Sequence, residues 1–436
     1  MEQKDNKKIS IQTVGCRLNQ YESEKMATRF YPFGFERAEN GEKADLYIIN
    51  TCTVTSKADS DCRYLIRKAV HQNPNGRIVV TGCYVDNDPS LISGMEGVDV
   101  IIGNQEKDDI AEILPERFPD LFQSEPDKSC STNITDFHGH NRAWLKVSDG
   151  CNQWCSFCII PTVRGRLRNR PAGEILDEVK SLVDNGYKEL VLTGVHLGHY
   201  KNRKVEPQMK NLAALVRAIM EKTNLYRLRL SSIEPQTVRG DLFDLYREYG
   251  GNRICRHWHL PLQAGASRIL KLMLRPYDQK TYISRVETIK KINPDTIIGA
   301  DVIVGFPGET DDDFQRTVRL CESELLDYLH VFSYSDRPDT PASKLPDKVD
   351  PAIIKERNTI LTRVSNQVKL NSHKKQVGQV LEIVGEHKPI KDGHYYGVAD
   401  NYLKVKFKAD SIPGREIRKI KIDSAHRDYV KGVQVE

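Results

Sequence analysis

The 436-residue sequence contains no run of about 18 apolar residues, which is the length that a membrane-spanning helix needs. The first eight residues, Met1 to Lys8, also lack the apolar core of a signal peptide. We therefore expect a cytoplasmic protein with no membrane span. In that compartment thiols stay reduced, so clustered cysteines indicate metal ligands before disulfides.

A strong net charge is also missing, because the formal charge is only +5. Its distribution says more than its size. From residue 373 to the end there are 13 Lys and Arg against 9 Asp and Glu, a surplus of four positive charges. A basic C-terminal segment of this size is typical of a small nucleic-acid-binding appendage.

Three cysteines lie within eight residues, in Cys151-Asn-Gln-Trp-Cys155-Ser-Phe-Cys158, and no fourth cysteine is near. A structural zinc site needs four protein ligands, usually as two separated pairs. A four-iron cluster tolerates one iron without a protein ligand, so three close thiolates favour an iron–sulfur cluster. The alternative is a zinc knuckle completed by a distant His or Cys.

The first 120 or so residues alternate between short β-branched runs and helical patterns. The predicted strands are 9–14, 44–49, 77–80 and 98–102, and one helical pattern spans 61–71. This alternation indicates an α/β domain with a parallel sheet wrapped in helices. Residues 123–142 then lose the pattern and carry little apolar content, which indicates a linker.

A second α/β series follows the linker, with six predicted strands and an amphipathic helix over 172–185 that Gly186 ends. The strands are expected near 143–148, 188–193, 226–231, 256–262, 297–304 and 327–333. Six β/α units predict an incomplete barrel rather than an eightfold one. A long helix over 351–373 ends the series, and alternating apolar residues and lysines in 403–408 indicate a small β domain.

Three more cysteines are far apart in the sequence, yet each directly follows a predicted strand of the first sheet: Cys16, Cys52 and Cys83. Parallel strands end at one edge of their sheet, where ligands bind, so topology alone predicts a second three-thiol site. The alternative is ordinary buried strand cysteines, but those should lie inside the apolar runs rather than just past them. We interpret the remaining cysteines as ordinary residues: Cys62, Cys130, Cys255 and Cys321.

The three-cysteine motif is the signature of radical S-adenosylmethionine (radical SAM) enzymes, and the whole chain resembles the radical SAM methylthiotransferases. Further motifs carry this resemblance: Val14-Gly-Cys-Arg-Leu-Asn19, Asn50-Thr-Cys52, Thr81-Gly-Cys-Tyr84, Val163-Arg-Gly-Arg-Leu-Arg168 and Val331-Phe-Ser-Tyr-Ser-Asp-Arg-Pro338. The resemblance implies a doubly wound N-terminal cluster domain over 1–122 and a linker over 123–142. It implies a radical SAM partial (β/α)6 barrel over 143–372 and a C-terminal all-β, OB-like TRAM domain over 373–436, which binds RNA.

The resemblance implies two 4Fe–4S clusters and S-adenosylmethionine (SAM) as cofactors. In the family, the iron that Cys151, Cys155 and Cys158 leave open binds SAM, and one electron cleaves SAM to a 5′-deoxyadenosyl radical. This radical removes hydrogen from an unactivated C–H bond. At the other cluster, sulfur and then a methyl group from a second SAM reach the substrate carbon. SAM is thus both radical source and methyl donor, an external electron donor is implied, and the sulfur donor is not identified.

Three substrate classes occur in the family: threonylcarbamoyladenosine in tRNA, isopentenyladenosine in tRNA, and an aspartate of a ribosomal protein. The segments 15–22 and 50–59 look most like the threonylcarbamoyladenosine enzymes. Arg17 and Leu18 depart from the usual lysine and valine, and residues 84–86 depart from the usual Ala-Gln. We predict methylthiolation of tRNA at C2 of this nucleoside, 3′ of the anticodon. A rival of another class is a metal-stabilised RNA-binding protein without catalysis.

The resemblance also predicts SAM-binding residues, most of them at strand ends. Phe157 and the segment with Gly305 would contact the adenine, and the others would meet SAM's amino group, ribose or carboxylate. They are Phe157, Thr193, Gly194, Ser231, Ser232, Glu234, Gln263 and Gly305. Gly194 would permit close approach of the backbone. The acidic run after Gly305 has a simpler interpretation, because Thr310 and Asp313 form a helix capping box.

Two basic groups are predicted to bind the tRNA substrate, and both have a structural alternative. They are Arg164, Arg166, Arg168 and Arg170 near the barrel mouth, and Lys404, Lys406 and Lys408 in the β domain. Arginines meet phosphates well, although such a run is also typical of a solvated face. Edge-strand lysines often only block aggregation, but nearby tyrosines at 395, 396 and 402 would allow base stacking.

Overall fold

The computed structural model describes residues 7–39, 41–130, 132–202 and 207–435. The chain divides into two compact units. The first unit reaches as far as Thr135 and also takes in Gly150–Asn152 and Ile159–Arg166. The second comprises Asp136–Asp149, Gln153–Cys158 and the remainder from Leu167. The three-cysteine motif therefore contributes Cys151 to the first unit and its other two cysteines to the second.

The first unit contains a five-stranded sheet in which every neighbouring pair is parallel, in the order β2-β1-β3-β4-β5. The strands are β1 Lys7–Thr13, β2 Phe35–Arg37, β3 Leu46–Thr51, β4 Arg77–Gly82 and β5 Val100–Ile102. Four of them lie where the sequence predicts strands. The edge strand β2 was not predicted, because three residues with alternating polarity give no detectable run.

Apolar clusters cover both faces of this sheet. Met26, Phe30 and Leu114 pack with Ile48 on one face, whereas the other face packs Ile66 and its neighbours against the sheet. The helices of this unit are α1 Arg17–Phe30, α2 Ser56–Gln72, α3 Cys83–Asn87, α4 Pro89–Ser93, α5 Ile110–Arg117 and α6 Ile160–Arg164. The sheet is thus buried on both sides, which leaves its carboxyl edge as the place for a site.

The second unit contains six parallel strands in chain order, together with one short antiparallel strand. The strands are β6 Ala143–Asp149, β7 Arg168–Asn169, β8 Glu189–Gly194, β9 Arg227–Leu230, β10 His257–His259, β11 Ile297–Val304 and β12 Tyr328–Ser333. They form two sheets, ordered β7-β6-β8-β9 and β10-β11-β12. Isolated parallel bridges from Leu228 to Ile254 and from Ser232 to His259 join the sheets. The predicted partial barrel of six β/α units is therefore present.

The helices of the second unit follow these strands. They are α7 Ala172–Asp184, α8 Leu212–Lys222, α9 Asp241–Tyr249, α10 Ser267–Leu272, α11 Gln279–Ile292, α12 Asp311–Glu322 and α13 Pro351–Lys374. The predicted capping box at α12 is confirmed, because Thr310 and Asp313 exchange side-chain and backbone hydrogen bonds. Across the described part of the chain, none of the helices has both the length and the apolar character needed to span a bilayer.

The C-terminal part of this unit is a closed five-stranded barrel in the order β13-β14-β15-β17-β16. Its strands are β13 Val380–Pro389, β14 His394–Ala399, β15 Lys404–Lys408, β16 Ile417–Ala425 and β17 Val430–Val435. Val405 and Phe407 point into the core, so the alternating lysines of β15 face outward. Tyr395 also lies in this core, which corrects the expectation that it stacks on bases.

Two buried arginines of β9 attach the C-terminal barrel to the larger one. Arg227 donates to the carbonyls of Glu382 and Val398, and Arg229 donates to those of Ala399 and Asp400. Both guanidinium groups also pair with the fully buried carboxylate of Glu189, at 2.7 and 2.8 Å. Because each arginine makes several charge-assisted bonds, the C-terminal barrel is held firmly against β9.

Candidate functional site

The cysteines at positions 16, 52 and 83 follow three strands that are neighbours in the sheet. Cys16 comes just after β1 and occupies the N-cap position of α1, Cys52 directly follows β3, and Cys83 directly follows β4 and begins α3. Since β1, β3 and β4 are adjacent and parallel, their carboxyl ends meet at one edge. The structure therefore places the three cysteines at one edge of the sheet, as the sequence predicts.

The electrostatics of Cys52 show that the three thiols lie close together. Burial raises the pKa of the Cys52 thiol to about 11, although a backbone N–H at Val54 opposes it. Negative charge on Cys83 and Cys16 raises this pKa further, whereas Arg164 lowers it. The negative charges of three neighbouring thiolates repel one another. A metal centre offsets this repulsion, because thiols that coordinate a metal are deprotonated outright.

Two glycines beside these cysteines let neighbouring segments of the chain lie very close to each other. Gly15 has a φ of +112°, and a Cβ there would lie 2.8 Å from the Cβ of Cys52. Gly82 has a φ of +102°, and a Cβ there would lie 2.5 Å from the carbonyl oxygen of Thr51. Both positions require glycine because other residues rarely adopt this backbone and have no room here.

A fourth cysteine, Cys62, lies nearby, but its thiol makes a hydrogen bond to the backbone. The thiol of Cys62, on α2, lies 3.3 Å from the carbonyl oxygen of Cys52 and donates to it. Burial raises the pKa of Cys62 to about 12. Cys62 therefore supports the backbone at Cys52, and the donor set remains three thiols, which fits a 4Fe–4S cluster with one iron lacking a protein ligand.

Arg164 does not belong to a surface that meets phosphates, which corrects the prediction for this residue. Its side chain is only 2% exposed and pairs with Glu22 at 3.0 Å and with Asn19 at 2.6 Å. Lys107 binds the same Glu22 carboxylate at 2.5 Å. A buried arginine that neutralises a buried carboxylate positions α1, whose first residues adjoin Cys16, and lowers the pKa of Cys52.

The other three predicted arginines differ in their surroundings. Arg170 is paired with Glu178 at 2.7 Å and donates to the carbonyl of Lys146, so it is a structural residue of the barrel rather than a phosphate ligand. Arg166 and Arg168 are exposed, and Arg168 contacts Asp149 at 3.6 Å. These two remain predicted substrate contacts.

The three-cysteine loop is held by backbone bonds in each unit. In the first unit, the N–H of Cys151 donates to the carbonyl of Gly165 at 3.1 Å. In the second, the N–H of Cys158 donates to Cys155, and Ser156 donates to the carbonyls of Met273 and Leu272. The sequence spacing keeps the three thiols in one short loop, and three thiolate donors fit a second 4Fe–4S cluster.

Arg275 is a functional candidate that sequence reasoning missed. Its guanidinium lies 3.1 Å from the Sγ of Cys155 and forms an ion pair with Glu234. Burial raises the pKa of Cys155, and Arg275 opposes this rise. An N–H donor to a ligating sulfur shifts the reduction potential of a cluster, so Arg275 can tune the centre at Cys155. The residue is 120 positions away from Cys155 in an unremarkable helix-to-turn segment, which gives no sequence signal.

Gln153, inside the loop, is fixed by two side chains of the second unit. Its Oε1 accepts from the Nε2 of His196 at 3.1 Å and from the Nε2 of Gln236 at 3.0 Å. His196 is buried and stacks on His199 at 3.8 Å between ring centroids. Burial, with His199 and Arg275, lowers the pKa of His196 to about 3, so the ring is neutral and donates to Gln153.

We expect this neutral histidine to make the protein less stable in mild acid. The unfolded chain takes up a proton near the ordinary pKa of 6.5, whereas the folded chain does not. The contribution is therefore fully present above this value and falls by about 1.4 kcal/mol for each pH unit below it. Urea unfolding at several pH values between 7 and 5 measures this slope.

A matched pair of variants isolates the effect. His196→Gln should reduce the pH slope of stability, because glutamine does not titrate. His71→Gln, at an exposed position on α2, should keep the slope of the parent protein. Equal slopes for His196→Gln and the parent protein would contradict the assignment of a neutral buried ring.

The predicted SAM-binding residues lie at the strand ends of the second unit. Thr193 and Gly194 end β8, and a Cβ on Gly194 would lie 2.4 Å from the Oγ of Ser148. Phe157 packs edge-on against Phe306, 6.4 Å between centroids. Ser231 follows β9 and donates its N–H to β8. Their contacts with SAM remain predictions.

Three of these residues have internal partners that the sequence did not reveal. Gln263 has a φ of +66° and bridges to Val302. The N–H of Gly305 donates to Glu309 at 2.7 Å. Glu234 pairs with Arg275, so its carboxylate is already neutralised. Glu234 therefore holds Arg275, and its contact with SAM stays a prediction.

Two protein-family profiles match the chain. The profile described as "Uncharacterized protein family UPF0004" matches residues 8–103, and that of the radical SAM superfamily matches residues 145–321. The first match covers the sheet with cysteines 16, 52 and 83. The second begins in β6 and contains the three-cysteine loop.

Full-length relatives and one solved structure extend these matches. The threonylcarbamoyladenosine tRNA methylthiotransferase MtaB of Bacillus subtilis (strain 168) is 36% identical over 434 residues, covering 97% of this chain and 95% of that protein. MtaB of Aquifex aeolicus (strain VF5) is 34% identical over 422 residues, covering 94% and 99%. The radical SAM methyltransferase TsrM from Kitasatospora setae superposes with a TM-score of 0.56, over 77% of this chain and 75% of that chain.

The identity of 15% to TsrM shows the fold alone, and it confirms the predicted radical SAM fold. The relatives show more, because they match from end to end at over 30% identity. Together with two three-thiol sites, these similarities decide the family: the chain belongs to the radical SAM methylthiotransferases.

Proposed function

We propose that the protein transfers a methylthio group to C2 of N6-threonylcarbamoyladenosine, immediately 3′ of a tRNA anticodon. The observation that carries this proposal is the end-to-end similarity to relatives that bear this activity in their name. The two three-thiol sites support it, because the reaction needs one centre to break an unactivated C–H bond and another to deliver sulfur.

The cofactors are SAM and two 4Fe–4S clusters. Cys151, Cys155 and Cys158 would hold the cluster that supplies the electron for SAM cleavage, and Cys16, Cys52 and Cys83 would hold the cluster at which sulfur and methyl transfer take place. The protein's own part is to hold and tune them. Arg275 donates toward Cys155, and Gln153 fixes the loop through His196 and Gln236.

The C-terminal barrel is proposed as the tRNA-binding TRAM domain. The ammonium of Lys404 lies 3.7 Å from the ring centroid of Tyr396, and that of Lys406 lies 5.8 Å from that of Tyr429. Lysines beside partly exposed aromatic rings can meet phosphates while the rings stack on bases. Lys408 continues the same outward row, and Arg166 and Arg168 are the proposed contacts near the barrel mouth. A tRNA substrate implies a cytoplasmic location, an external electron donor and a sulfur source.

The substrate is tested by weighing the nucleosides of tRNA from cells that lack the protein. Loss of the methylthio group from threonylcarbamoyladenosine, restored by the wild-type gene, is the expected result. Loss from isopentenyladenosine instead would transfer the same chemistry to that nucleoside. Retention of both marks would leave the ribosomal-protein aspartate as the family substrate to examine.

A metal-stabilised RNA-binding protein without catalysis makes a different prediction. Anaerobic reconstitution should give about eight irons and eight sulfides per chain with a brown chromophore if two 4Fe–4S clusters are present. A colourless protein with stoichiometric zinc would support the non-catalytic alternative.

A further inference from the structure

Three side chains from adjacent parallel strands of the second unit converge on one face of their sheet. They are His259, which ends β10, Asp301 in β11 and His330 in β12. Asp301 lies directly beside His330 in the strand register, and His259 pairs with Gly299, two residues before Asp301. Because side chains alternate across a strand, this register places all three on one face. Their ligand atoms lie within 4.8 Å of one another.

The ring of His259 is oriented as in a metal site. Its Nδ1 lies 2.7 Å from the Oγ of Ser232, while its Nε2 lies 3.4 Å from the Oδ1 of Asp301. This Nε2 is buried and has no hydrogen-bond partner among the residues that the structure describes. Metal-binding histidines commonly donate one ring N–H to a fixed polar neighbour, which leaves the other nitrogen's lone pair for the ion. Ser232 is such a neighbour.

We propose that His259, Asp301 and His330 bind a divalent transition-metal ion, at a site separate from the six cysteines of the two clusters. Two imidazoles and one carboxylate are the ligand set of two-histidine, one-carboxylate sites, which suit Mn²⁺, Fe²⁺, Co²⁺ and Zn²⁺. Atoms bound to one ion at about 2.1 Å lie roughly 3–4 Å apart, so the ion would draw these side chains together by about 1 Å. Three ligands leave further positions open to water or an oxygen ligand.

An ion can reach this site from solvent. The side chain of His330 is exposed and lines a cavity of about 280 Å³ together with Tyr328, Tyr402 and residues of α13. The alternative to a metal site is a plain ion pair between His259 and Asp301, which needs a proton on the imidazole and no metal. The two alternatives differ in whether the holoenzyme binds an added ion.

The test uses the reconstituted holoenzyme, with its cysteines occupied and its clusters in the diamagnetic oxidised state. After chelator treatment and desalting, Mn²⁺ is titrated in, and the EPR signal of the free aqua ion reports binding. We expect one saturable site per chain that Zn²⁺ displaces, because Zn²⁺ binds such ligands more tightly than Mn²⁺. Absence of a saturable site would overturn the proposal.

Variants locate the ion. Asp301→Asn and His330→Ala should weaken Mn²⁺ binding at least about tenfold, the effect that loss of even an outer partner has. Ser232→Ala should weaken it by about the same factor while the stoichiometry stays unchanged. His387→Ala, at an exposed histidine of the C-terminal barrel, is the control and should bind as the parent does. Unchanged binding in both Asp301→Asn and His330→Ala, with iron and sulfide contents intact, would overturn the assignment.

Discussion

Replacing Cys16 with alanine should abolish the methylthio product while SAM is still cleaved to 5′-deoxyadenosine. Cys16 belongs to the three thiols at the edge of the first unit's sheet, and negative charge on Cys16 raises the pKa of Cys52. The residues that hold Cys155, namely Arg275 and Glu234, belong to the second unit and are untouched by this change. The iron content should fall from about eight to about four per chain.

Both products are measured in the same anaerobic assay, by mass spectrometry of the nucleosides. Cys130→Ala is the matched control, because Cys130 also lies in the first unit, is partly exposed, and belongs to neither thiol set. It should retain both activities and all the iron. Equal loss of 5′-deoxyadenosine and methylthio product in Cys16→Ala would mean that the two sites do not divide the reaction between them.

The largest loss of stability is expected for Glu189→Gln. The carboxylate is fully buried, and although burial opposes ionisation, Arg229 and Arg227 hold the pKa of Glu189 well below its usual range. The neutral amide would leave two buried guanidinium groups without a counter-charge. Breaking a buried pair from one side costs about 3–5 kcal/mol, and two arginines are affected here. Thermal and urea unfolding followed by circular dichroism measure the loss.

The ion pairs of Glu189 with Arg227 and Arg229 also make the stability of the protein fall at acid pH. Because the folded pKa of Glu189 is depressed, its contribution is complete above the ordinary carboxyl value of 4.5 and is lost as the pH falls below it. Glu174→Gln, at an exposed position on α7, is the control and should stay within about 0.5 kcal/mol of the parent. A Glu189→Gln protein as stable as this control would show that the backbone carbonyls alone satisfy the two arginines.

The sequence predicted the elements that local patterns determine. Each of the six parallel strands of the second unit overlaps a segment that the sequence predicts as a strand, and α12 begins at the capping box of Thr310. The placement of cysteines 16, 52 and 83 was also predictable, because parallel topology brings strand ends together whatever their separation in sequence.

Long-range pairing explains what could not be predicted. Four arginines in seven residues looked alike, yet Arg164 neutralises Glu22 and Arg170 neutralises Glu178, while Arg166 and Arg168 stay exposed. Nothing in the local sequence distinguishes them, because their partners come from other elements. Arg275 was missed for the same reason. A tyrosine in an alternating strand can face either side, which is why Tyr395 was misassigned.

The attachment of the C-terminal barrel through Arg227 and Arg229 has a geometric consequence. These buried bonds help to fix the distance from its lysine-bearing strand to the mouth of the larger barrel. The proposed tRNA contacts on the C-terminal barrel therefore lie at a fixed distance from those proposed near the mouth of the larger barrel.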